Sequence, residues 1–286
     1  MARIKKTRVN RSAGGDVSLL VVVLLFAFVM VIPMYYAIIQ SLKPLDDLWI
    51  FPPRLWVASP TGKNFQDLFQ NLNDSWVPFS RYIFNTLFVS VVGTFGHVLI
   101  ASMAAYSLSK KRFYGSKIIF RIIVLSLMFS TAVTSIPTFM VMRDLHLIDT
   151  YWSIILPAFS SSLGLYLMKQ HMEAMVKDVI IEAAKIDGAG EMRIFWTIVM
   201  PMVKPAWLTL IVFSFQGLWN ATGSTYIYSE ELKSLNYAVS QIVSAGIARA
   251  GTAAASIVFM MILPILVFVF SQSSIVETMS SSGIKE

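Results

Sequence analysis

Long runs of uncharged, mostly apolar residues alternate with shorter charged segments along this chain. A helix needs about 20 apolar residues to cross the hydrocarbon core of a bilayer. Six uncharged runs reach that scale, so the pattern predicts six transmembrane helices. The predicted spans cover residues 17–42, 82–109, 122–142, 150–168, 205–229 and 250–276.

A seventh uncharged run, over residues 234–248, is shorter and contains several polar residues. It favours a re-entrant or surface helix rather than a span. The first apolar run follows a basic segment, as in a signal peptide, but it is longer than the apolar part of a typical signal peptide. No small-residue cleavage site follows it. The pattern therefore indicates an uncleaved membrane anchor.

The basic residues set the predicted orientation, because cytoplasmic loops of membrane proteins are enriched in lysine and arginine. With the amino terminus inside, 16 of the 23 Lys and Arg residues fall on the inner side. We therefore expect two cytoplasmic tails, at residues 1–16 and 277–286, flanking a membrane domain over 17–276. Residues 43–81 become an external loop, either folded or a simple connector, and residues 169–204 become a cytoplasmic loop.

Composition agrees with a membrane protein and narrows the chemistry. Charged residues make up only 14% of the 286 positions, whereas a soluble domain has about a quarter. The chain has no cysteine and its three histidines are scattered, so no metal site is expected. His97, inside an apolar run, is expected to be a packed or pathway-facing polar residue. Because the basic residues flank the spans, we expect the lipid bilayer, and not nucleic acid, as a partner.

The cytoplasmic loop contains the most informative segment, VIIEAAKIDGAGEMRIFWTIVMP at residues 179–201. Its small and apolar residues predict a short helix that ends at Asp187 and Gly188, because glycine accepts the left-handed conformation past a helix end. A second, amphipathic helix is expected from Glu191 to Met200. On the inner face of a membrane bundle, such a helix–turn–helix is either a docking element or an interfacial helix with no partner.

This segment resembles the EAA motif of binding-protein-dependent ABC importer permeases. The match comprises Glu182-Ala183-Ala184, Gly188, Ile198 and Pro201 at the motif's spacing, with Met200 in place of the usual leucine. Other segments resemble the carbohydrate-uptake branch, on the side of the maltose-type second permease. They are Ser41-Leu42-Lys43-Pro44, Ala104-Ala105-Tyr106 and Trp219-Asn220, although Ala221-Thr222-Gly223 departs from that pattern.

The resemblance implies an all-α membrane protein of six transmembrane helices, with a cytoplasmic coupling helix between the fourth and the fifth. In this family two permease subunits, here expected to be different chains, pair in the bacterial cell membrane. A cytoplasmic ABC ATPase dimer drives them, and an extracellular or periplasmic solute-binding protein delivers the sugar. The residues implied in coupling to the ATPase are Ile181, Glu182, Ala183, Ala184, Asp187, Gly188, Ala189 and Pro201.

Individual roles within the coupling helix follow from the same resemblance. Ile181, Ala183 and Ala184 are expected to make close contact with the ATPase, and Glu182 to be a polar anchor in its cleft. Asp187 either bonds backbone amides at the turn or is a simple cap, and its residue type favours capping.

The chain lacks the phosphate-binding motif that an ATPase needs. Thr61-Gly62-Lys63-Asn64 has no second glycine in place and no hydroxyl residue after the lysine. We therefore expect a transport subunit that is not an enzyme and holds no cofactor, with ATP and Mg²⁺ bound by the separate ATPase.

The substrate pathway is less sharply indicated. Sugars are held by aromatic faces together with hydrogen-bonding side chains, and polar residues and glycines in a span are where a helix can unwind beside an aqueous cavity. Ordinary helix packing explains the same residue types. The candidates are Gln216, Trp219 and Asn220 in the fifth run, with Thr131 and Ser135 in the third.

Three other functions fit parts of the pattern. A permease for another solute class shares the EAA motif, which amino-acid, peptide and phosphate importers also carry. A stand-alone secondary carrier fits less well, because ion-coupled carriers usually need intramembrane carboxylates and the six runs contain none. A non-transporting membrane scaffold is supported only by the docking helix.

Overall fold

A computed structural model describes residues 13–73, 77–111, 113–244, 246 and 249–282. Most of the predicted N-terminal tail (1–16) and the end of the predicted C-terminal tail (277–286) lie outside these residues. Within the described part of the chain, every regular element is helical and no strand occurs. The predicted all-α class is therefore confirmed.

The helices differ widely in length. A π-helical turn, Phe195–Val199, joins α10 to α11, and a 3₁₀ turn, Glu230–Leu232, precedes α13. The described helices are α1 (Ala13–Leu42), α2 (Leu45–Leu48), α3 (Lys63–Asn73), α4 (Phe79–Lys110), α5 (Ser116–Ser126), α6 (Thr131–Asp144), α7 (Trp152–Phe159), α8 (Ser162–Met175), α9 (Asp178–Ile186), α10 (Glu191–Ile194), α11 (Met200–Met202), α12 (Lys204–Trp219), α13 (Leu235–Ser244) and α14 (Ala250–Ser282).

Three of the described helices are long and apolar enough to cross a membrane alone: Gly14–Leu42, Phe79–Lys110 and Ala250–Gln272. Two groups of helices pass the same test together but are sharply bent, α5 with α6 by 112° and α10–α11 with α12 by 81°. The described helices therefore give three spans, or five if each bent group is one. The count of six stays a prediction. With 10 residues, α13 rises about 15 Å and is too short to cross.

Three predicted spans are not single helices over their predicted lengths. The run over 122–142 breaks before α6, where Ser130 takes the extended conformation of an N-cap residue. The run over 150–168 breaks in the same way at Ser161, before α8. The span predicted over 205–229 is helical only to Trp219, and Gly223 follows with a φ of +67°. Hydropathy did not reveal these breaks, because single serines and glycines barely change the average of a long apolar run.

Contacts divide the chain into two units. The smaller takes in the described chain up to Leu68 together with residues 249–259, and the larger takes in Phe69–Ser244 and the described chain from Met260. In the larger unit α4 is the central helix and packs against α7, α8 and α12. One buried core in this unit comprises Ala101, Ala105, Tyr106, Met168, Met172, Val176, Ile181, Ala184, Ile194, Phe195, Val199, Val203, Ala206 and Leu210.

In the smaller unit, the buried side chain of Asn64 holds the chain that leaves α1. Its Nδ2 donates to the carbonyls of Ser41, at 2.9 Å, and Lys43, at 2.7 Å. Lys43 is itself buried and donates to the carbonyl of Arg54 at 2.6 Å. A Cβ added to Gly251 would lie 2.3 Å from Asn64 Oδ1, so this close packing requires glycine. The start of the loop predicted over residues 43–81 is therefore folded rather than a simple connector.

Large apolar surfaces remain exposed on several helices. In the smaller unit, α1 exposes most of its apolar side chains. In the larger unit, α5, α6 and the turn between them expose residues such as Met128, Phe129 and Ile136. Surfaces of this extent are rare on soluble monomers. In a membrane protein they are the surfaces that meet lipid or another subunit.

Candidate coupling site and transport pathway

The short helix α9 and the turn after it form as the sequence predicts. Asp178 lies in the first turn of α9, where its negative charge is favourable. At the other end Gly188 has a φ of +78°, and its N–H donates to the carbonyl of Lys185 at 3.0 Å. The N–H of Ala189 donates to the carbonyl of Ala184 at 2.9 Å, which satisfies another carbonyl at the helix end. The EAA segment is thus a well-terminated helix of nine residues.

The two faces of α9 differ in burial. Ile181 and Ala184 are buried in the core of the larger unit, so their side chains pack within this chain, and their contact with an ATPase stays a prediction. They lie three positions apart and therefore on the same side of the helix, which packs inward. Glu182 and Ala183 are exposed, as expected, and so are Asp187 and Gly188.

Two apolar residues that the sequence analysis left out dominate the exposed face. Val179 is 72% exposed and Ile186 is 85% exposed. In α9 these residues are seven positions apart, so they lie on the same side of the helix, two turns from each other. Large apolar residues exposed together on one side of a helix are typical of an interaction surface. Val179 lies two residues before the buried Ile181, and Ile186 lies two residues after the buried Ala184. This spacing is the sequence signal that would have predicted their exposure.

The start of α9 is tied to the C-terminal end of α4. Lys110 Nζ lies 2.9 Å from Asp178 Oδ1 and also donates to the carbonyl of Val176. The Lys110 side chain is only 5% exposed, whereas that of Asp178 is 70% exposed. The pair therefore joins a buried ammonium to the exposed first turn of the helix.

The end of α9 is tied to the same part of α4 through Glu191. Tyr106 OH donates to Glu191 Oε2 at 2.8 Å. Glu191 Oε1 forms ion pairs with Lys111, next to the end of α4, and with Lys185 of α9, at 3.3 Å. One carboxylate thus links α4, α9 and the first residue of α10. Both ends of α9 are therefore tied to the C-terminal end of α4.

Pro201 lies at the bend that leads from α11 into α12. It lines an apolar groove of about 710 Å³ between α4 and α12, together with Trp196, Lys204 and Trp207. The π-helical turn just before it places Phe195 and Val199 in the buried core. The predicted role of Pro201 in coupling stays a prediction. Its observed contacts are with this groove and the bend.

The pathway candidates on α12 separate into buried and exposed residues. Trp219 is 2% exposed, donates from Nε1 to the carbonyl of Met260 at 3.0 Å and stacks on Phe215 with ring centroids 5.7 Å apart. It packs within this chain, and its place on the pathway surface stays a prediction. Gln216 and Asn220 are exposed, and Asn220 Nδ2 donates to the carbonyl of Gln216 at 2.9 Å.

The candidates on α6, Thr131 and Ser135, are both exposed near the start of that helix. Ser135 Oγ donates to the carbonyl of Ala132 at 2.8 Å, so its hydroxyl is satisfied within its own helix. Gln216 and Asn220 lie together on α12, one turn apart. Thr131 and Ser135 form a separate pair on α6.

A clamp that the sequence did not reveal forms around Asp149. Its carboxylate accepts hydrogen bonds from the backbone N–H groups of Tyr228 and Ser229, both at 2.9 Å, and from Ser229 Oγ. Asp149 has a φ of +62°, and its own N–H donates to the carbonyl of Tyr226 at 2.8 Å. The hydrogen bonds from Ser229 hold the pKa of this carboxyl below its usual value. These hydrogen bonds join residues 80 positions apart in the chain. A contact of that separation cannot be predicted from a local sequence pattern.

His97 is buried in the middle of α4, with Nδ1 3.0 Å from Ser214 Oγ of α12. His97 is thus a packed polar residue, which is one of the two alternatives left open by the sequence. Among the described residues, no group of three or more histidine, aspartate or glutamate side chains is arranged to hold a metal ion.

Comparison with known proteins identifies the family. Residues 96–281 match the family described as "Binding-protein-dependent transport system inner membrane component", which is more than half of the chain. The chain belongs to this family. Membership confirms the resemblance to ABC importer permeases, and it confirms an inner-membrane transport subunit that carries no ATPase motif.

Curated members of the permease family are similar over most of their length. Identity is 29% over 221 residues with the sn-glycerol-3-phosphate transport system permease protein UgpE of Yersinia enterocolitica, covering 74% of this chain and 75% of that one. Identity is 26% over 255 residues with the arabinooligosaccharides transport system permease protein AraQ of Bacillus subtilis, covering 88% and 90%. Identity is 29% over 215 residues with the polygalacturonan/rhamnogalacturonan transport system permease protein YtcP of the same organism, covering 72% and 69%.

The permease fold also matches a solved structure. A chain from a bacterial ABC transporter involved in the import of the acidic polysaccharide alginate superposes with a TM-score of 0.78 at 23% identity. The match covers 93% of this chain and 99% of that one. The two chains therefore share a fold over nearly their whole length.

Proposed function

We propose that this permease forms half of the translocation pathway of an ATP-driven importer for a sugar or oligosaccharide. Family membership supports an importer subunit, and two of the similar relatives are named for oligosaccharide or polysaccharide transport. In this proposal a second permease chain supplies the other half of the pathway. A cytoplasmic ATPase dimer binds ATP and Mg²⁺, and an external solute-binding protein delivers the substrate.

The proposed topology has six spans and both termini in the cytoplasm. α1, α4 and α14 cross as long helices, α5–α6 and α7–α8 cross as interrupted ones, and α12 crosses with the irregular chain after Trp219. This arrangement puts α9 on the cytoplasmic side, between the fourth and fifth spans. The excess of lysine and arginine on that side supports the orientation.

The exposed face of α9 is the observation that carries the proposal. Val179 and Ile186 present apolar surface to solvent, while Ala183 between them leaves room for close approach. A shallow cleft on an ATPase would cover this face. Glu182 lies on the exposed side as well, in reach of such a partner. Burial of Ile186 there contributes about 1.5–3 kcal/mol.

The links between α9 and α4 indicate how the ATPase drives transport. When the ATPase closes, α9 moves with its cleft. The ion pairs of Lys110 and Glu191 then carry α4 with α9 as a rigid body. Because α4 packs against α8 and α12, this movement rearranges the helices around the proposed pathway.

The remaining partners are assigned to exposed surfaces of the permease that lipid or another protein would contact. The exposed apolar sides of α5 and α6 and the groove between α4 and α12 meet lipid or the second permease. The external loop over 43–81 and the clamp at Asp149 lie on the proposed outer side, where the solute-binding protein docks.

Import of another solute class is the second candidate, because UgpE is named for a phosphorylated substrate. Uptake by the assembled complex separates the two candidates. Import of sn-glycerol 3-phosphate, without import of neutral oligosaccharides, would favour the second. A stand-alone carrier is disfavoured by membership in the permease family.

The decisive experiment replaces Ile186 with glutamate and measures ATP-dependent uptake by the complex in proteoliposomes. The side chain is exposed, so Ile186→Glu leaves the fold intact but puts a charge into the ATPase contact. We expect uptake to fall at least tenfold, which corresponds to about 1.4 kcal/mol of lost contact energy. Tyr114→Glu, another exposed site on the proposed cytoplasmic side, is the matched control and retains uptake. Equal uptake by both variants would refute coupling through α9.

A further inference from the structure

A small cavity lies at the middle of α4, enclosed by the start of α8 and by α12. Its volume is about 250 Å³. Its polar side chains are His97, Ser161 and Ser214, and Phe213, Gly164 and Gly217 are among its apolar lining. Phe213 and Gly217 are exposed, so the cavity opens to a surface beside them. None of the residues assigned to substrate by the sequence analysis lines it.

His97 presents an unpaired polar atom to this cavity. The residue is 4% exposed, and its Nδ1 is 3.0 Å from Ser214 Oγ. The backbone of Ser161 approaches the ring, but Nε2 has no hydrogen bond of ordinary geometry to any described residue. A buried polar atom without a partner costs about 1–3 kcal/mol. A ligand that completes this bond recovers that free energy.

The cavity exists because two local features keep it open. The chain breaks between α7 and α8 at Ser160 and Ser161, so irregular backbone borders the cavity. Irregular backbone at membrane depth occurs where it lines an aqueous cavity. At Gly164, an added Cβ would lie 2.2 Å from His97 Nε2, so any larger residue would clash with the imidazole ring and displace it at the cavity wall.

We propose that this cavity is a subsite for one uncharged, hydroxylated unit of the substrate, and this inference rests on the proposed import function. The tautomer of His97 does not decide the fit. If Nδ1 carries the proton, Nε2 accepts from a ligand hydroxyl, and if Nε2 carries it, Nε2 donates to that hydroxyl. A hydroxyl serves as donor or acceptor, so it suits both states.

The absence of charge selects against phosphorylated or carboxylated ligands. None of the described residues that line the cavity is charged. A phosphate or carboxylate moved there from water would lack a cationic partner, which is strongly unfavourable. The exposed ring of Phe213 beside the opening offers an apolar face for the C–H side of a sugar ring. The subsite therefore favours neutral sugars over sn-glycerol phosphate or galacturonate.

The volume of the cavity limits the size of the ligand that it can hold. Sites for drug-sized ligands measure roughly 300–1,000 Å³. At about 250 Å³ the open cavity matches a single sugar unit, so the other units of an oligosaccharide extend beyond it. The cavity thus binds one unit of an oligosaccharide during its passage through the permease, and the other units lie outside the cavity.

The first test measures uptake by the complex with the double variant His97→Leu/Ser214→Ala. Removing both hydrogen-bond partners together is close to neutral for folding, so the variant isolates the ligand contact. With neutral arabino-, gluco- and xylo-trisaccharides as probes, we expect uptake to fall at least tenfold. ATPase stimulation by the loaded binding protein should stay within twofold of the wild type. Thr209→Ala, on the same helix but outside the cavity, is the control and keeps full uptake.

The second test uses the absence of cysteine from the chain. Leu163→Cys, which lines the exposed side of the cavity, is labelled with a water-soluble methanethiosulfonate, with Val22→Cys on the apolar α1 as the unreactive control. The neutral trisaccharides should slow labelling of Leu163→Cys severalfold, whereas sn-glycerol 3-phosphate and trigalacturonate should not. Equal protection by the charged probes, or no protection by any probe, would overturn the subsite.

The two tests also separate this inference from the proposed function. If the loaded binding protein does not stimulate ATPase activity in the wild-type complex, the import function is refuted. Labelling of the permease alone would still test whether the cavity binds the neutral trisaccharides. Full uptake by the double variant together with normal ATPase stimulation would leave the import function standing. In that case the cavity is an ordinary water-filled space and the subsite is refuted.

Discussion

The two halves of α4 carry opposite kinds of polar chemistry. At its C-terminal end, Lys110 and Tyr106 bind carboxylates of α9 and α10, so the helix end is fixed by charge. At its middle, His97 and the nearby hydroxyl of Ser214 form a neutral pair beside an open cavity. At the C-terminal end the charge-assisted hydrogen bonds are strong and every group has a partner. At the middle the hydrogen bond is weak, and His97 Nε2 has no partner. The first suits the transmission of force, and the second suits transient contact with a substrate.

The environment explains the division. Charged groups are tolerated where water or headgroups can reach them, as at the end of α4, but they are costly at mid-bilayer depth. A neutral imidazole and a hydroxyl avoid that cost. A substrate must also leave its site again, so a subsite of moderate strength is compatible with transport whereas a buried ion pair is not.

The largest effect is expected at the middle of α4. Gly164→Val inserts side-chain atoms where even a Cβ lies 2.2 Å from His97 Nε2. Overpacking of this kind costs about 1–3 kcal/mol of folding free energy. It also fills the cavity, so uptake should be abolished even where the protein remains folded. Thermal unfolding in detergent and uptake in proteoliposomes measure the two effects.

Gly217→Ala is the matched control for that prediction, because nothing lies within 4 Å of a Cβ at Gly217. It should leave the unfolding temperature unchanged or raise it slightly, since alanine favours a helix. A Gly164→Val protein as stable and active as the Gly217→Ala protein would show that the cavity is not tightly bounded.

The next largest effect is expected at the charged end of α4. Lys110→Met removes a buried ammonium that binds both Asp178 and the carbonyl of Val176. Charge-assisted hydrogen bonds contribute about 1.5–3 kcal/mol. Hydrogen–deuterium exchange of the amides in α9 should therefore accelerate about 10- to 100-fold. Exchange in α12 serves as the internal control and stays unchanged. Unchanged exchange in α9 would mean that Lys110 does not anchor it.

A smaller effect is expected for Glu191→Gln, which keeps an acceptor for Tyr106 but loses the charge that attracts Lys111 and Lys185. Both lysine side chains are partly exposed, so the loss is about 0.5–1 kcal/mol. Uptake per ATP hydrolysed should fall two- to fivefold. In Lys185→Met the same carboxylate keeps Lys111, and the loss should be smaller. A larger loss in Lys185→Met than in Glu191→Gln would reverse the assignment of Glu191 as the central link.

The smallest effect is expected at the clamp around Asp149. The pKa of Asp149 is lowered by its hydrogen bonds with Ser229, so the charged carboxylate stabilises the fold above its ordinary pKa. This contribution disappears as the pH falls through the lowered pKa. Asp149→Asn should lower stability by less than about 1 kcal/mol at neutral pH, because the clamp is largely exposed. The difference from the wild type should shrink as the pH falls below the ordinary pKa of an aspartate, as measured by thermal unfolding. A difference that does not shrink with falling pH would exclude the charge as its cause.

The sequence was sufficient where the decisive interactions are local. The turn at Gly188 and the end of α9 follow from residue type and spacing, and α4 follows from an apolar run of sufficient length. The family resemblance depends on spacing within one short segment, and the comparisons confirm it.

The sequence was insufficient to predict the burial or hydrogen bonding of a residue where these depend on a partner that is distant in the chain. The burial of Ile181 and Ala184 depends on α4, α8 and the end of α10, and the burial of Trp219 depends on packing near the carbonyl of Met260. The unpaired Nε2 of His97 is defined by Ser214, 117 residues away, and by the backbone near Gly164. The helix breaks at Ser130 and Ser161 depend on single residues that a hydropathy average does not resolve.

Coupling through the exposed face of α9 is tested most directly by cross-linking. Because the chain contains no cysteine, single cysteines at positions 179, 181 and 186 can each be given a short photo-activated cross-linker in the assembled complex. We expect Val179→Cys and Ile186→Cys to cross-link to the ATPase subunit, and the buried Ile181→Cys to cross-link only within the chain. Absence of ATPase cross-links from both exposed positions, in a complex that retains ATP-driven uptake, would contradict coupling through α9.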